Sequence, residues 1–130
     1  MIRYLSLDWI EALTAEVAAS DALRGLADSV AVGITQVVTG SPEGDVVYHL
    51  QVGDGAATFG AGGAYPEDVK FEQDWDTAVA VATGAMNAQD AFIKGRITLT
   101  GDPQKLAAAE PVFRELDGVF SSVRERTSYE

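Results

Sequence analysis

Apolar residues change their spacing several times along this chain, and each change marks an element. Ile10, Leu13 and Val17 recur at i, i+3 and i+7 behind Ser6, whose hydroxyl can cap a helix, so an amphipathic helix is expected there. A short second helix is expected near Asp21–Leu26. The period then drops to two. Val30, Val32, Ile34 and Val38 alternate with Ala31, Gly33 and Thr35, and Val46, Tyr48, Leu50 and Val52 alternate with Val47, His49 and Gln51. Ala57 and Phe59 continue the alternation. Ser41-Pro42-Glu43-Gly44-Asp45 and Gly53-Asp54-Gly55, which separate these segments, are turn chemistry. Three strands on short turns read as an antiparallel meander.

Residues 60–66 form a connecting loop rich in glycine and alanine, after which Val69 and Phe71 mark a fourth strand. Asp74 caps a helix running from Trp75 through Ala82, ended by Gly84. Asn87 opens a further short helix, ended by Gly95, and Ile97 and Leu99 mark a fifth strand. In Gly101-Asp102-Pro103, aspartate is the cap and proline the first-turn residue of another helix. Val112, Phe113, Leu116, Val119, Phe120 and Val123 then form a broad apolar stripe on a C-terminal helix. Strands with one apolar and one mixed face belong to an open sheet rather than to a parallel sheet buried on both sides. The fold class expected is therefore α+β: a five-stranded, largely antiparallel sheet with helices packed on one face and water on the other. With no charge block, repeat or low-complexity tract to divide it, residues 1–130 read as a single domain.

Composition narrows the function. The chain has 130 residues, no cysteine and a formal net charge of −11. Disulfides, thiolate metal sites and a thiol nucleophile are excluded. Nine basic residues against twenty acidic ones argue against nucleic acid and against a polybasic membrane anchor. No apolar run approaches the ~18 residues of a membrane span, and the first residues lack the unbroken apolar region of a signal peptide, so a cytoplasmic protein without integral membrane association is expected. Twenty alanines and 13 glycines make a quarter of the chain very small residues. Alanines 78, 80, 82 and 85, with Ala88 and Ala91 further on, stand where small side chains either pack closely or leave room beneath the sheet, and composition does not decide between the two.

Few residues invite catalytic chemistry. His49 is the one histidine and reads as a solvent-facing or hydrogen-bonded strand residue, since no partner can be placed beside it. Asp74 and Asp76 read as a cap and a first-turn acid rather than a paired-carboxylate site. Ser121-Ser122 lacks a nucleophile-elbow setting. Gly60, Gly62 and Gly63 match neither phosphate-loop pattern, and their loop is a plain connection or at most a flexible gate. No metal site, cofactor or catalytic residue is expected.

The most specific segment is Asn87-Ala88-Gln89-Asp90-Ala91-Phe92-Ile93-Lys94-Gly95-Arg96-Ile97-Thr98-Leu99-Thr100-Gly101-Asp102. It resembles the signature of the sterol carrier protein type-2 family, roughly N-x-Q-x-A-F-x-x-G-x-h-x-h-x-G-D with h apolar. The opening Leu5-Ser6-Leu7-Asp8-Trp9-Ile10-Glu11-Ala12-Leu13 is similar to short stand-alone bacterial members. Most motif positions also have local physical reasons: Asn87 as a cap, Phe92 as a ring for the core, Gly95 for a left-handed turn, Gly101-Asp102 for a strand end and cap.

The resemblance implies a sheet and helices enclosing an apolar cavity, and non-enzymatic binding or transfer of fatty acids, fatty acyl-CoA or sterol-like lipids. The wall residues expected from it are Phe92, Ile97 and Leu99, then Trp75 and Val79, then Phe113, Leu116 and Phe120, with the last helix as a movable cover. Phe92→Ala is expected to weaken binding and also to destabilise the core. Two other readings stand beside this one: an interaction module whose apolar helix face docks a partner or its own copy, and a small enzyme or accessory acting on a hydrophobic substrate. The sequence leaves the oligomeric state open.

Overall fold

The alternating segments pair into one five-stranded sheet in the computed structural model, which describes residues 2–65 and 67–129 apart from the side chains of Ala88, Gln89 and Asp117. The chain runs β1 (Ile2–Arg3), α1 (Leu7–Ala19), α2 (Asp21–Leu26), β2 (Val32–Ser41), β3 (Gly44–Gly53), β4 (Ala56–Ala61), β5 (Val69–Asp74), α3 (Trp75–Ala82), α4 (Ala88–Ile93), β6 (Ile97–Gly101), α5 (Pro103–Ala108), α6 (Glu110–Arg124) and β7 (Thr127–Ser128). The sheet order is β4-β3-β2-β5-β6. β2, β3 and β4 form the antiparallel meander, and β5 and β6 are antiparallel, but β2 and β5 run parallel, from Ile34 opposite Val69 to Thr39 opposite Asp74.

Caps start the helices where the sequence places them. Ser6 Oγ accepts from Trp9 N at 3.2 Å, Asp74 Oδ1 from Thr77 N at 2.8 Å and Asp102 Oδ1 from Gln104 N at 2.9 Å. Beyond α5 the chain breaks at Ala109 and restarts, because Pro111 lies in the first turn of α6 and has no N–H with which to continue the previous helix.

The core lies between the helices and one sheet face. Leu13, Val17, Ile34, Val38, Val112 and Val123 are at most 2% exposed. Each such burial contributes about 1.5–3 kcal/mol. Trp9 sits at the centre, edge-on to Tyr4, Tyr48 and Phe59 with ring centroids 5.0, 5.3 and 5.9 Å away.

Two features depart from the pattern-based expectation. The opposite sheet face does not simply meet water: the connection from β4 to β5 crosses it, because β5 must pair beside β2, beyond β3. Ala64 N donates to Thr35 Oγ1 at 2.9 Å, Gly62 N to Val47 O at 2.8 Å, and His49 Nδ1 lies 3.0 Å from Gly62 O. Thr35 is left 2% exposed beneath this strap. Pro66, within the crossing, lies outside the described residues. Secondly, β1 and β7 form a small parallel ladder, with Ile2 N donating to Arg126 O at 2.7 Å and Tyr4 N to Ser128 O at 2.9 Å. Two-residue strands leave no periodicity to read.

Candidate ligand cleft on the inner sheet face

Strand parity sets what faces the helices. On the helix-covered side, Tyr48, Gln36, Phe71 and Leu99 lie in one row across β3, β2, β5 and β6. The next row carries Val38, Gln73 and Ile97. Helices α3, α4, α5 and α6 do not close completely over these rows.

Among the hollows that result, three meet at Gln36. The largest, about 650 Å³, is lined by Gln36, Phe71, Gln73, Val81, Phe92, Ile93, Ile97, Leu99, Leu106, Glu110 and Phe113. A second, about 150 Å³, lies under Leu116 and Phe120 among Ile34, Gln36, Tyr48, Leu50, Phe59 and Phe113. Phe113 borders both and forms a T-shaped pair, 5.9 Å between centroids, with Phe71 of the large cleft. A third, about 140 Å³, has a more polar wall that includes Tyr4, Tyr48, Tyr129, Gln36, Gln73 and Arg124. Ala78 and Ala82 line it too, so two of the four alanines picked out on α3 and just beyond it border a space.

The residues picked out from sequence divide among these spaces. Phe92, Ile97, Leu99 and Phe113 border the large cleft, and Leu116 and Phe120 the second hollow. Trp75 and Val79 border none of the three; both pack against the core, and Trp75 stacks beside Tyr4 at 5.5 Å. Helix α3 instead turns Val81 toward the cleft. Phe92 is not a core ring: it is 49% exposed at the lip, while its neighbour Ala91 is fully buried. Successive helical residues are rotated by about 100°, so when Ala91 faces the sheet on this short helix, Phe92 is carried to its margin.

Helix α6 is also less free than a terminal cover would be, because β7 follows it directly and is hydrogen-bonded to β1. The glycine-rich strap that contains Gly62 and Gly63 lies on the sheet face opposite the cleft, where it cannot gate it.

Gln36, Phe71, Gln73, Val81, Ile93, Leu106 and Glu110 were missed as wall residues, Phe71 having been read only as an apolar strand position. For the two glutamines the signal was present: each takes the same parity as the apolar residues of its strand. They are linked, with Gln73 Nε2 donating to Gln36 Oε1 at 3.3 Å.

The chemistry available is that of an apolar, part-open cleft rather than the enclosed cavity expected. Burial raises the phenol pKa of Tyr48, and that of Tyr4 with help from the charges of Tyr48 and Tyr129, so both stay protonated donors. Asp74 is held below the usual carboxylate range by the hydrogen bonds from Thr77 that make it a cap. His49 faces the strap, away from the cleft. Among the described residues no cluster of three or more histidine, aspartate or glutamate side chains is placed to hold a metal ion, and no helix is long and apolar enough to cross a membrane.

Solved structures share this arrangement. A Thermus thermophilus protein described as possibly a sterol carrier protein superposes with a TM-score of 0.66 at 22% identity, covering 98% of this chain and 92% of its own. A crystal structure of sterol carrier protein 2 gives 0.63 at 23% identity, covering 94% and 98%. The palmitated sterol carrier protein 2-like 2 of Aedes aegypti gives 0.52 at 18% identity, covering 80% and 92%. No curated protein sequence matches. The family profile described as SCP-2 sterol transfer matches residues 9–114, which include the sheet, the motif helix and most of the cleft wall, and the chain therefore belongs to the SCP-2 sterol transfer family.

Proposed function

We propose that this protein is a non-enzymatic lipid carrier that takes the hydrocarbon part of its ligand into the large cleft. The observation that carries the reading is the cleft itself: about 650 Å³, walled chiefly by Phe71, Phe92, Ile97, Leu99 and Phe113. That volume falls in the ~300–1,000 Å³ range of sites that enclose small organic ligands. Its one ionised wall residue, Glu110, is paired with Arg114 at 2.6 Å, so the cleft offers no matched acid and base for chemistry on a bound molecule.

Desolvation supplies the affinity. Each buried methylene contributes about 0.8 kcal/mol, so a long acyl chain offers on the order of 10 kcal/mol before association and ordering remove several. Micromolar binding is the expected outcome. Phe92 and Ile93, 49% and 79% exposed, stand at the lip and mark the mouth. Family membership supports a lipid as cargo, and the palmitated insect relative supports an acyl chain among the candidates; fatty acids, fatty acyl-CoA and sterol-like lipids are the classes to try.

Titration of the folded protein with a fluorescent fatty acid tests the proposal. Saturable binding in the micromolar range, displaced by unlabelled lipid, is expected. Absence of saturation up to high micromolar concentration, with circular dichroism showing folded protein, sinks it.

A further inference from the structure

The inner sheet face is apolar except where the hollows meet. There, Gln36 on β2 and Gln73 on β5 reach across the parallel ladder from adjacent rows and share one amide–amide bond of 3.3 Å. Gln36 borders all three hollows and Gln73 two of them. A glutamine amide offers two donors and an acceptor oxygen with two lone pairs. One shared bond therefore leaves N–H and C=O capacity on both residues, whichever way the amides are turned. Among the described residues neither amide has another hydrogen-bond partner, and no polar side-chain atom there is both sealed from solvent and unpartnered, so the spare groups open onto the hollows.

Two amides placed on an apolar wall cost stability unless something hydrogen-bonds to them. Resting on the carrier reading above, we infer that the Gln36–Gln73 pair is the polar recognition point of the cleft. It takes an uncharged hydrogen-bonding group of the lipid, an ester carbonyl or a hydroxyl, in preference to an ionised carboxylate. An amide pair can donate to a carbonyl and both donate to and accept from a hydroxyl. The residues that line the cleft include no cation to meet a carboxylate, the Arg114 guanidinium beside it is held by Glu110, and a net charge of −11 opposes a bound anion. Arg124 borders the neighbouring polar hollow, which has the two glutamines in its wall.

The test uses laurate, methyl laurate, lauryl alcohol and dodecane, each measured by displacement of Nile red from the full chain at pH 8. Ester and alcohol are expected to bind at least about fivefold more tightly than laurate. In Gln36→Leu/Gln73→Leu, and in the milder Gln73→Met, ester and alcohol should weaken by about threefold to tenfold, the worth of one net hydrogen bond. Dodecane should bind as before or more tightly. Thermal melts of both variants confirm folding.

Laurate binding at least as tightly as the ester overturns the proposal, and loss of that affinity in Arg124→Gln moves the head group to Arg124. Equal weakening of dodecane and ester in the glutamine variants also overturns it, by making the amides structural. If no member of the series displaces the dye, the carrier reading falls and this inference with it.

Discussion

Phe92→Ala separates binding from folding, because the ring is 49% exposed at the lip of the cleft. A phenylalanine side chain can bury about 150–250 Å² in all, so on the order of 100 Å² of this one stays open. Covering that area with a bound hydrocarbon chain is worth about 2.5 kcal/mol at ~25 cal/mol/Å². Truncation to alanine removes most of it, about 1.5–2.5 kcal/mol, which weakens the fluorescent fatty acid by roughly tenfold to sixtyfold. The cost to folding is smaller than for a core residue: about 1–2 kcal/mol, since half the ring has no protein neighbour to lose, against the ~2–5 kcal/mol of a fully buried leucine such as Leu13. Urea unfolding monitored by Trp9 and Trp75 fluorescence measures the second quantity, and titration of the folded variant the first. A stability loss above ~3 kcal/mol refutes the placement of Phe92 at the lip. Unchanged affinity in a folded variant refutes its part in the binding surface.

Two further outcomes follow from particular positions. Gly101 has φ +123°, and a Cβ there would lie 2.2 Å from Asp68 O and 2.8 Å from Val69 Cα, backbone atoms that cannot rotate aside. Gly101→Ala must part β6 from β5 and strain the 2.9 Å bond from Asp102 N to Asp68 O, so a loss of about 3–6 kcal/mol is expected in urea unfolding; a loss under ~1 kcal/mol contradicts the clash. Tyr4 and Tyr48 have raised phenol pKa values, so the unfolded chain ionises them first. Their stabilisation is fully present below the unfolded tyrosine pKa of about 10 and is lost as pH climbs from there toward the folded value. The urea midpoint should fall between about pH 9 and pH 11 and fall less steeply in Tyr48→Phe; equal slopes in the two proteins contradict the burial argument.

Much of the fold was legible because the patterns that encode it are local. Ser6, Asp74 and Asp102 cap the helices they precede, and the period-two segments became the five strands. What escaped depends on distant partners. No periodicity announces that β5 pairs parallel to β2, because the choice rests on the strap running over Thr35 and on the backbone bond from Asp68 N to Gly33 O. The wall of the cleft was legible in part. Ile97 and Leu99 follow from strand parity, and Phe113 from the helical stripe. Phe92 sits nearby but exposed, and the expectation that it fills the core fails because Ala91 takes that place. The glutamines escaped attention because a search for apolar residues passes over polar ones of the same parity, and those are the residues that distinguish this cleft from a plain hydrophobic hole.

In the five-stranded sheet the parallel ladder between β2 and β5 joins a three-stranded meander to a two-stranded pair, and among the described residues no other strand pairing links the two halves. Meander contacts are close in sequence, whereas the ladder requires the chain to loop back over two strands, so it is expected to form later. Gln36 and Phe71, opposite one another across that seam, both border the large cleft. A molecule lying in the cleft therefore bridges the joint between the two halves of the sheet. On the proposed function a bound lipid would act as a staple, and loading should slow hydrogen exchange on both β2 and β5 while leaving the β3–β4 hairpin nearly as it was.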